Sequence, residues 1–311
     1  MSPDLVSLIV RALAFVALFQ AAGVALFLAG FGRHLTASQS GIRRLGLVAA
    51  AAGIVLVLAH LSLDPARMAG DFSGMWDATL QRLAWNSSSG LSSMAQVLGL
   101  LVILTALSLG AEQAPGPQVA AVIGVVVAIG AFLLTGHTSA HPLRALLAPL
   151  LALHLLIVAF WFGALLPLVL ISRIETTAVA GQVLRRFSAF AGPLVPLIAV
   201  AGVAMAAILC GSLGVVHRPY GQLLLLKLAG FVVLLGLAAY NRWRLMPALP
   251  PGTATAGAAA APGPRAAGAA GATANTVHAA AALRRSMSAE YLLIVAVLCA
   301  TDVLTTLFSP H

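Results

Sequence analysis

The sequence predicts an all-α membrane protein, a polytopic bundle of about eight transmembrane helices. Of its 311 residues, 61% are apolar and only 8% are charged, whereas a soluble domain carries about 25% charged residues. The mean hydropathy of +1.03 is spread over repeated apolar runs of about 17 residues or more, the length that a helix needs to cross a bilayer. These runs do not alternate as the strands of a membrane barrel do, so they indicate helices.

Eight segments are long and apolar enough to span a membrane. They are predicted at residues 5–31, 45–63, 93–109, 118–135, 143–171, 193–214, 222–240 and 291–308. The first is too long for the apolar part of a signal peptide and follows Asp4 rather than a basic run, so we interpret it as a retained span. Four spans fall in an N-terminal half, 1–140, and four in a C-terminal half, 141–311.

The basic residues of the loops predict the orientation. With the N-terminus outside, the inside loops hold eleven arginines and the outside loops hold four. The inside set is Arg33, Arg43, Arg44, Arg173, Arg185, Arg186, Arg242, Arg244, Arg265, Arg284 and Arg285, and the outside set is Arg67, Arg82, Arg144 and Arg218. Because inside loops are enriched in Lys and Arg, both termini are expected outside. The net charge of +9 therefore reflects topology, and no basic block suggests nucleic-acid binding.

Two loops differ from the short connections. In the outside loop 64–92, Met75, Trp76, Leu80 and Leu83 recur at helical spacing, which predicts a short helix lying on the outer membrane surface or covering the bundle. Residues 249–282 are rich in alanine but interrupted by Pro and Gly. This composition predicts a disordered cytoplasmic linker.

Polar groups inside the spans are the functional candidates, because burying them in a membrane is costly. Histidine and sulfur side chains descend from the outer end to about mid-bilayer, and this ligand set suits copper, with thioether and thiolate favouring Cu(I). We therefore predict a copper site, although each histidine could instead be a packing residue and Met205 a core residue. The candidate ligands are His60, His137, His141, His154, Met205 and Cys210.

Two charged residues lie at matched depth in the last two spans. Lys227 and Asp302 are each about six residues from the outer end, roughly 9 Å. Matched depth favours a neutralising pair between the two helices, or a proton or cation gate.

Several stretches resemble the bacterial copper resistance protein D family. They are Gly136-His137 at the end of the fourth span, HLLIVAFWFGALLPL from His154, KLAGFVVLLGLAAYNRWRL from Lys227, and LRRSMSAEYLLIVAVLCATDVLTTL near the C-terminus. The resemblance is strongest from about residue 130 to 308. It implies a multi-pass inner-membrane protein of copper homeostasis, associated with copper uptake from the periplasm. Its recurrent motif positions correspond to His137, His154, Trp161, Lys227 and Asp302.

These observations lead to a functional hypothesis with two alternatives. The protein is expected to bind copper from the periplasmic side, with a periplasmic copper-binding protein as a candidate partner, and to mediate its uptake by ligand exchange through the bundle. The alternatives are a membrane cytochrome, with His141 and His154 ligating haem, and a factor that delivers copper for oxidase assembly without transporting it. No phosphate-binding GxxxxGK[ST] loop and no GxSxG elbow occur, so an enzyme is not expected.

Overall fold

The computed structural model describes residues 2–110, 114–136, 140–210, 218–247 and 266–307, and within these ranges it contains helices and no strand. Eight of the described helices are long and apolar enough to cross a membrane, which confirms the predicted fold class and number of spans. The α-helices of the described ranges are α1 (Pro3–Phe31), α2 (Gln39–Ala69), α3 (Ala78–Trp85), α4 (Ser88–Ser108), α5 (Pro115–Gly130), α6 (Arg144–Ile174), α7 (Thr177–Cys210), α8 (Pro219–Tyr240) and α9 (Ala266–Leu307). All but α3 are candidate spans.

Helix α1 lies at the centre of the bundle and packs against α2, α4, α5, α6 and α9. It begins at Pro3, where the missing N–H costs nothing, and the Ser2 side chain caps it. From Leu18 to Leu28 the helix is buried on nearly every side. A span buried all round is expected where other helices, rather than lipid, surround it.

Aromatic rings join this central helix to the C-terminal half of the chain. The rings of Phe27 and Phe31 stack with their centroids 5.1 Å apart. Both also contact the ring of Phe187 on α7, with centroids 6.3 Å and 6.1 Å apart. Contacts of this kind add to the stability that burial of the rings provides.

The closest helix crossing joins α1 to α6 at two glycines. A Cβ atom added to Gly23 would lie 2.0 Å from the carbonyl oxygen of Ala159 and 2.5 Å from the Cα of Gly163. Only glycine allows two helices to approach this closely, as at small-residue contacts in membranes. Beside the crossing, Gln20 Nε2 donates a hydrogen bond to the carbonyl oxygen of Gly163 over 3.1 Å. The crossing therefore fixes how far α1 and α6 are shifted along each other.

The start of α1 and the end of α9 lie at the same end of the bundle. Arg11 near the start of α1 contacts Asp302 near the end of α9, as an even number of spans requires. We call this the N-terminal end and the other the opposite end. The assignment of the N-terminal end to the outside of the membrane stays a prediction from the arginines.

The structure agrees with the expectation for one long loop and departs from it in the other. The loop 64–92 contains a 3₁₀ turn, Phe72–Trp76, and the short helix α3, which Asp77 caps. By contrast, α9 already begins at Ala266, so residues 266–282 are helical rather than disordered. The reason is the high helix propensity of alanine, which the scattered glycines do not overcome. Residues 248–265 of the expected linker lie outside the described ranges.

Candidate functional site

Charged side chains from α1 and α9 meet inside the N-terminal end of the bundle. Arg11 Nε lies 2.9 Å from Asp302 Oδ1, and the Asp302 side chain is fully buried. The same guanidinium donates to Thr305 Oγ1 over 2.9 Å. This ion pair ties the first span to the last, and its burial makes the two partners dependent on each other.

His60 belongs to the same polar region. Its Nδ1 lies 3.1 Å from Ser7 Oγ on α1. Further along α2, Arg67 contacts Asp64 over 3.3 Å and Asp4 over 3.2 Å. Hydrogen bonds and ion pairs thus join these side chains in three groups, Ser7 with His60, Arg11 with Asp302, and Arg67 with Asp4 and Asp64. We call the following set the outer cluster: Asp4, Ser7, Arg11, His60, Asp64, Arg67 and Asp302.

The expected pairing of Asp302 with Lys227 is corrected by this arrangement. Asp302 pairs with Arg11, whereas Lys227 on α8 interacts electrostatically with His154 on α6. Matched depth selects the wrong cation, because Arg11 lies at a similar depth in α1. Helix α8 also packs against α9, so matched depth on neighbouring helices does not by itself decide which groups pair; the face of each helix on which the side chain lies matters as well.

His154 lies between α6 and α7. A Cβ atom added to Gly202 would lie 3.5 Å from His154 Cε1, and the imidazole ring forms a hydrogen bond with the Ile198 backbone. Ile198, Gly202 and Met205 are spaced i, i+4 and i+7, so they share one face of α7. Met205 is 9% exposed. The imidazole and the thioether therefore belong to the same helix interface, about one turn apart.

The Nδ1 atom of His154 is buried and has no hydrogen-bond partner among the described residues. Buried polar atoms are normally satisfied, and an exception calls for an explanation such as an absent ion or water. We call His154, Met205 and Lys227 the central site.

The remaining candidate ligands are His137, His141 and Cys210, and the structure describes the side chain of only one of them, His141. His141 precedes α6, and its Nδ1 accepts a hydrogen bond from the Leu143 backbone over 3.0 Å. It is therefore not on one helix with His154, as the haem alternative requires. His137 and the side chain of Cys210, the last residue of α7, lie outside the described part of the chain.

The described residues contain no group of three His, Cys, Asp or Glu side chains close enough to hold a metal ion. His60 lies between α1 and α2, whereas His154 lies between α6 and α7. Counted from the Gly23–Gly163 crossing, Ser7 is about 24 Å and His154 about 14 Å towards the N-terminal end. The two histidines thus occupy successive levels, and a single centre formed by all six candidates stays a prediction.

Trp161 has a partner that the sequence does not predict. Its indole hydrogen-bonds the carboxyl of Glu290 on α9, and Asn241 Nδ2 donates to Glu290 Oε1. Glu290 is 3% exposed and Asn241 8%. Asn241 opens a π-helical turn, Asn241–Leu245, a feature that is common at functional sites. The half of the bundle towards the opposite end therefore contains a buried polar cluster of its own.

A carboxylate at the opposite end joins two loops. Glu175 accepts five hydrogen bonds from the backbone and hydroxyl groups of residues 36–38. Burial of the carboxyl opposes its ionisation, but the bonds from Ser38 and Thr36 outweigh burial and lower the pKa of Glu175 to about 2. This group connects the α1–α2 loop to the end of α6.

Two residues of these clusters do have a signal in the sequence. Arg11 lies within the first predicted span, and Glu290 lies beside the start of the last one. An ionisable residue inside or next to a span is a functional candidate by default. Neither residue is a His, Met or Cys, so the ligand preferences of copper do not point to them.

Two family models match the chain. The model described as Copper resistance protein D matches residues 181–304, and the model described as Copper resistance protein D-like, N-terminal domain matches residues 1–142. A relative named Copper resistance protein D, from Pseudomonas syringae pv. tomato, is 36% identical over 104 residues. That stretch is 31% of this chain and 34% of the relative, so the match spans about a third of the relative's length. No solved structure matches.

Proposed function

Because this chain belongs to the copper resistance protein D family, we propose that it is a copper transport protein of the bacterial inner membrane. It binds copper at the N-terminal end, which faces the periplasm, and mediates its uptake by ligand exchange through the bundle. The observation that carries this proposal is the buried, unsatisfied Nδ1 of His154 beside the α7 face that bears Met205. Imidazole and thioether are ligands that suit Cu(I).

The outer cluster is the proposed entry region. Its two guanidiniums, of Arg11 and Arg67, are matched by three carboxylates, of Asp4, Asp64 and Asp302. The surplus of one negative charge favours the approach of a cation. His137 and His141 would receive copper at the mouth, from the periplasm or from a periplasmic copper-binding protein, and His60 would be the next ligand.

The central site is the proposed transfer point. Copper held by His154 and Met205, with Cys210 further along α7, would lie beside the ammonium of Lys227. A nearby positive charge weakens the binding of a cation. Transport requires binding weak enough for release, so Lys227 would keep copper from being trapped.

The direct test uses His154→Ala and Met205→Leu. Each variant should weaken Cu(I) binding to the purified protein, measured by competition with a chromogenic chelator, by at least about tenfold. Copper uptake into vesicles that contain the protein should fall in parallel. The matched controls are His278→Ala, an exposed histidine, and Met287→Leu, a buried methionine on α9. Unchanged binding in both central-site variants would contradict the proposed ligands.

Lys227→Met tests the release step separately. We expect this variant to retain more copper and to transport it more slowly. If purified protein binds copper while vesicle uptake never exceeds that of empty vesicles, transport is wrong and the delivery alternative is favoured.

A further inference from the structure

Three arginines from two helices surround a groove at the opposite end of the bundle. Arg173 lies at the end of α6, and Arg284 and Arg285 lie on α9. The groove has a volume of about 490 Å³, and Ser288 and Leu292 also line it. Neither the proposed copper route nor the family matches assign a role to it.

The charge of this groove is not neutralised within the described part of the chain. Arg284 donates to the carbonyl oxygen of Ser172 over 3.4 Å, which leaves most of its N–H groups available. The ion pairs of Arg11 with Asp302 and of Arg67 with Asp4 and Asp64 lie at the N-terminal end. Glu175, the nearest acidic residue along α6, is committed to residues 36–38. The groove therefore offers three guanidiniums to an external anion.

The groove also has an apolar side. Arg285, Ala289 and Leu292 are spaced i, i+4 and i+7 on α9, so they form one stripe. Leu292 is 67% exposed and lies about 10 Å from Arg285 along the helix, towards the bilayer centre. Basic residues at the membrane boundary with exposed apolar residues deeper in the membrane match the layout of a phospholipid.

We propose that this groove binds an anionic phospholipid, with its phosphate against Arg173, Arg284 and Arg285 and an acyl chain along Leu292. Arginine suits the phosphate because its planar guanidinium forms paired hydrogen bonds with phosphate oxygens. Basic pockets between membrane helices on the cytoplasmic side bind such headgroups in other proteins.

The test compares two triple variants of the full-length protein. One replaces the groove arginines with Gln, and the control makes the same change at Arg44, Arg185 and Arg244, exposed arginines of the same end. Native mass spectrometry and thermal unfolding are measured in vesicles of phosphatidylglycerol and of phosphatidylcholine. We expect bound phosphatidylglycerol and a higher Tm for the wild type and the control, and roughly 100-fold weaker binding for the groove variant.

Two further arms separate the possible outcomes. Leu292→Gln keeps all three arginines and should also weaken phosphatidylglycerol binding, which tests the acyl contact even if the triple variant does not fold. Inorganic phosphate at the same concentration should not raise the Tm. Equal losses in the groove and control variants, or equal stabilisation by phosphate, would overturn the proposal.

Discussion

The two buried histidines of the bundle differ in how their ring nitrogens are used. His60 is bonded to Ser7 and lies in a cluster of paired charges, whereas Nδ1 of His154 has no partner among the described residues. A satisfied polar group stabilises one arrangement of helices, while an unsatisfied one costs about 1–3 kcal/mol. From this difference we expect the outer cluster to hold the helices together and the central site to accept a ligand.

The largest expected effect comes from breaking the ion pair of the outer cluster. Asp302→Ala should lower the free energy of unfolding by about 3–5 kcal/mol, because it leaves the Arg11 charge without this carboxylate. Thermal unfolding in detergent measures the loss. Lys227→Met serves as the control and should have a smaller effect, since Lys227 is not the partner of Asp302. Equal losses in both variants would contradict the assigned pairing.

The second largest effect is expected at the Gly23–Gly163 crossing of α1 and α6, from which the levels of the two histidines are counted. Gly23→Ala places a methyl group 2.0 Å from the Ala159 carbonyl oxygen, so α1 and α6 must separate, at a cost of about 1–3 kcal/mol. Gly30→Ala on the same helix meets no atom within 4 Å and should be neutral or slightly stabilising. Similar unfolding temperatures for the two variants would show that the glycine contact does not fix the register.

The sequence is sufficient for the fold but only partly for the site. Apolar runs determine where helices cross a membrane, so eight spans can be predicted without knowing their neighbours. Which charged groups pair also depends on the helix face that each occupies, and it cannot be read from depth alone: Asp302 and Lys227 match in depth and their helices touch, yet Arg11 is the partner of Asp302. The start of α9 escapes prediction because a stretch rich in alanine, a strong helix former, also carries the Pro and Gly typical of linkers.

A smaller effect compares the two histidines directly. His60→Leu removes the hydrogen-bond partner of Ser7 and should destabilise the protein by about 1–2 kcal/mol. His154→Leu removes a buried Nδ1 without a partner among the described residues together with the ring's hydrogen bond to the Ile198 backbone, so in the absence of copper it should destabilise the protein less than His60→Leu does. Thermal unfolding of the copper-free variants gives the size of each change. Destabilisation of the same size in both would mean that His154 has a structural role like that of His60.

The smallest effect concerns Glu175, a carboxylate that is as fully partnered as the outer cluster but lies outside the membrane. Its folded pKa of about 2 is below the ordinary value of 4.5, so its contribution is present above about pH 4.5 and is lost as the pH falls towards 2. Because water screens this site, we expect about 1 kcal/mol. Glu175→Gln should remove that part of the pH dependence of unfolding, and Thr36→Val, which removes one hydroxyl donor, should reduce it less. An unchanged pH profile in Glu175→Gln would show that the hydrogen bonds of this carboxylate outside the membrane add no stability. The stabilising effect of a satisfied polar group would then apply only to groups that lipid or protein shields from water.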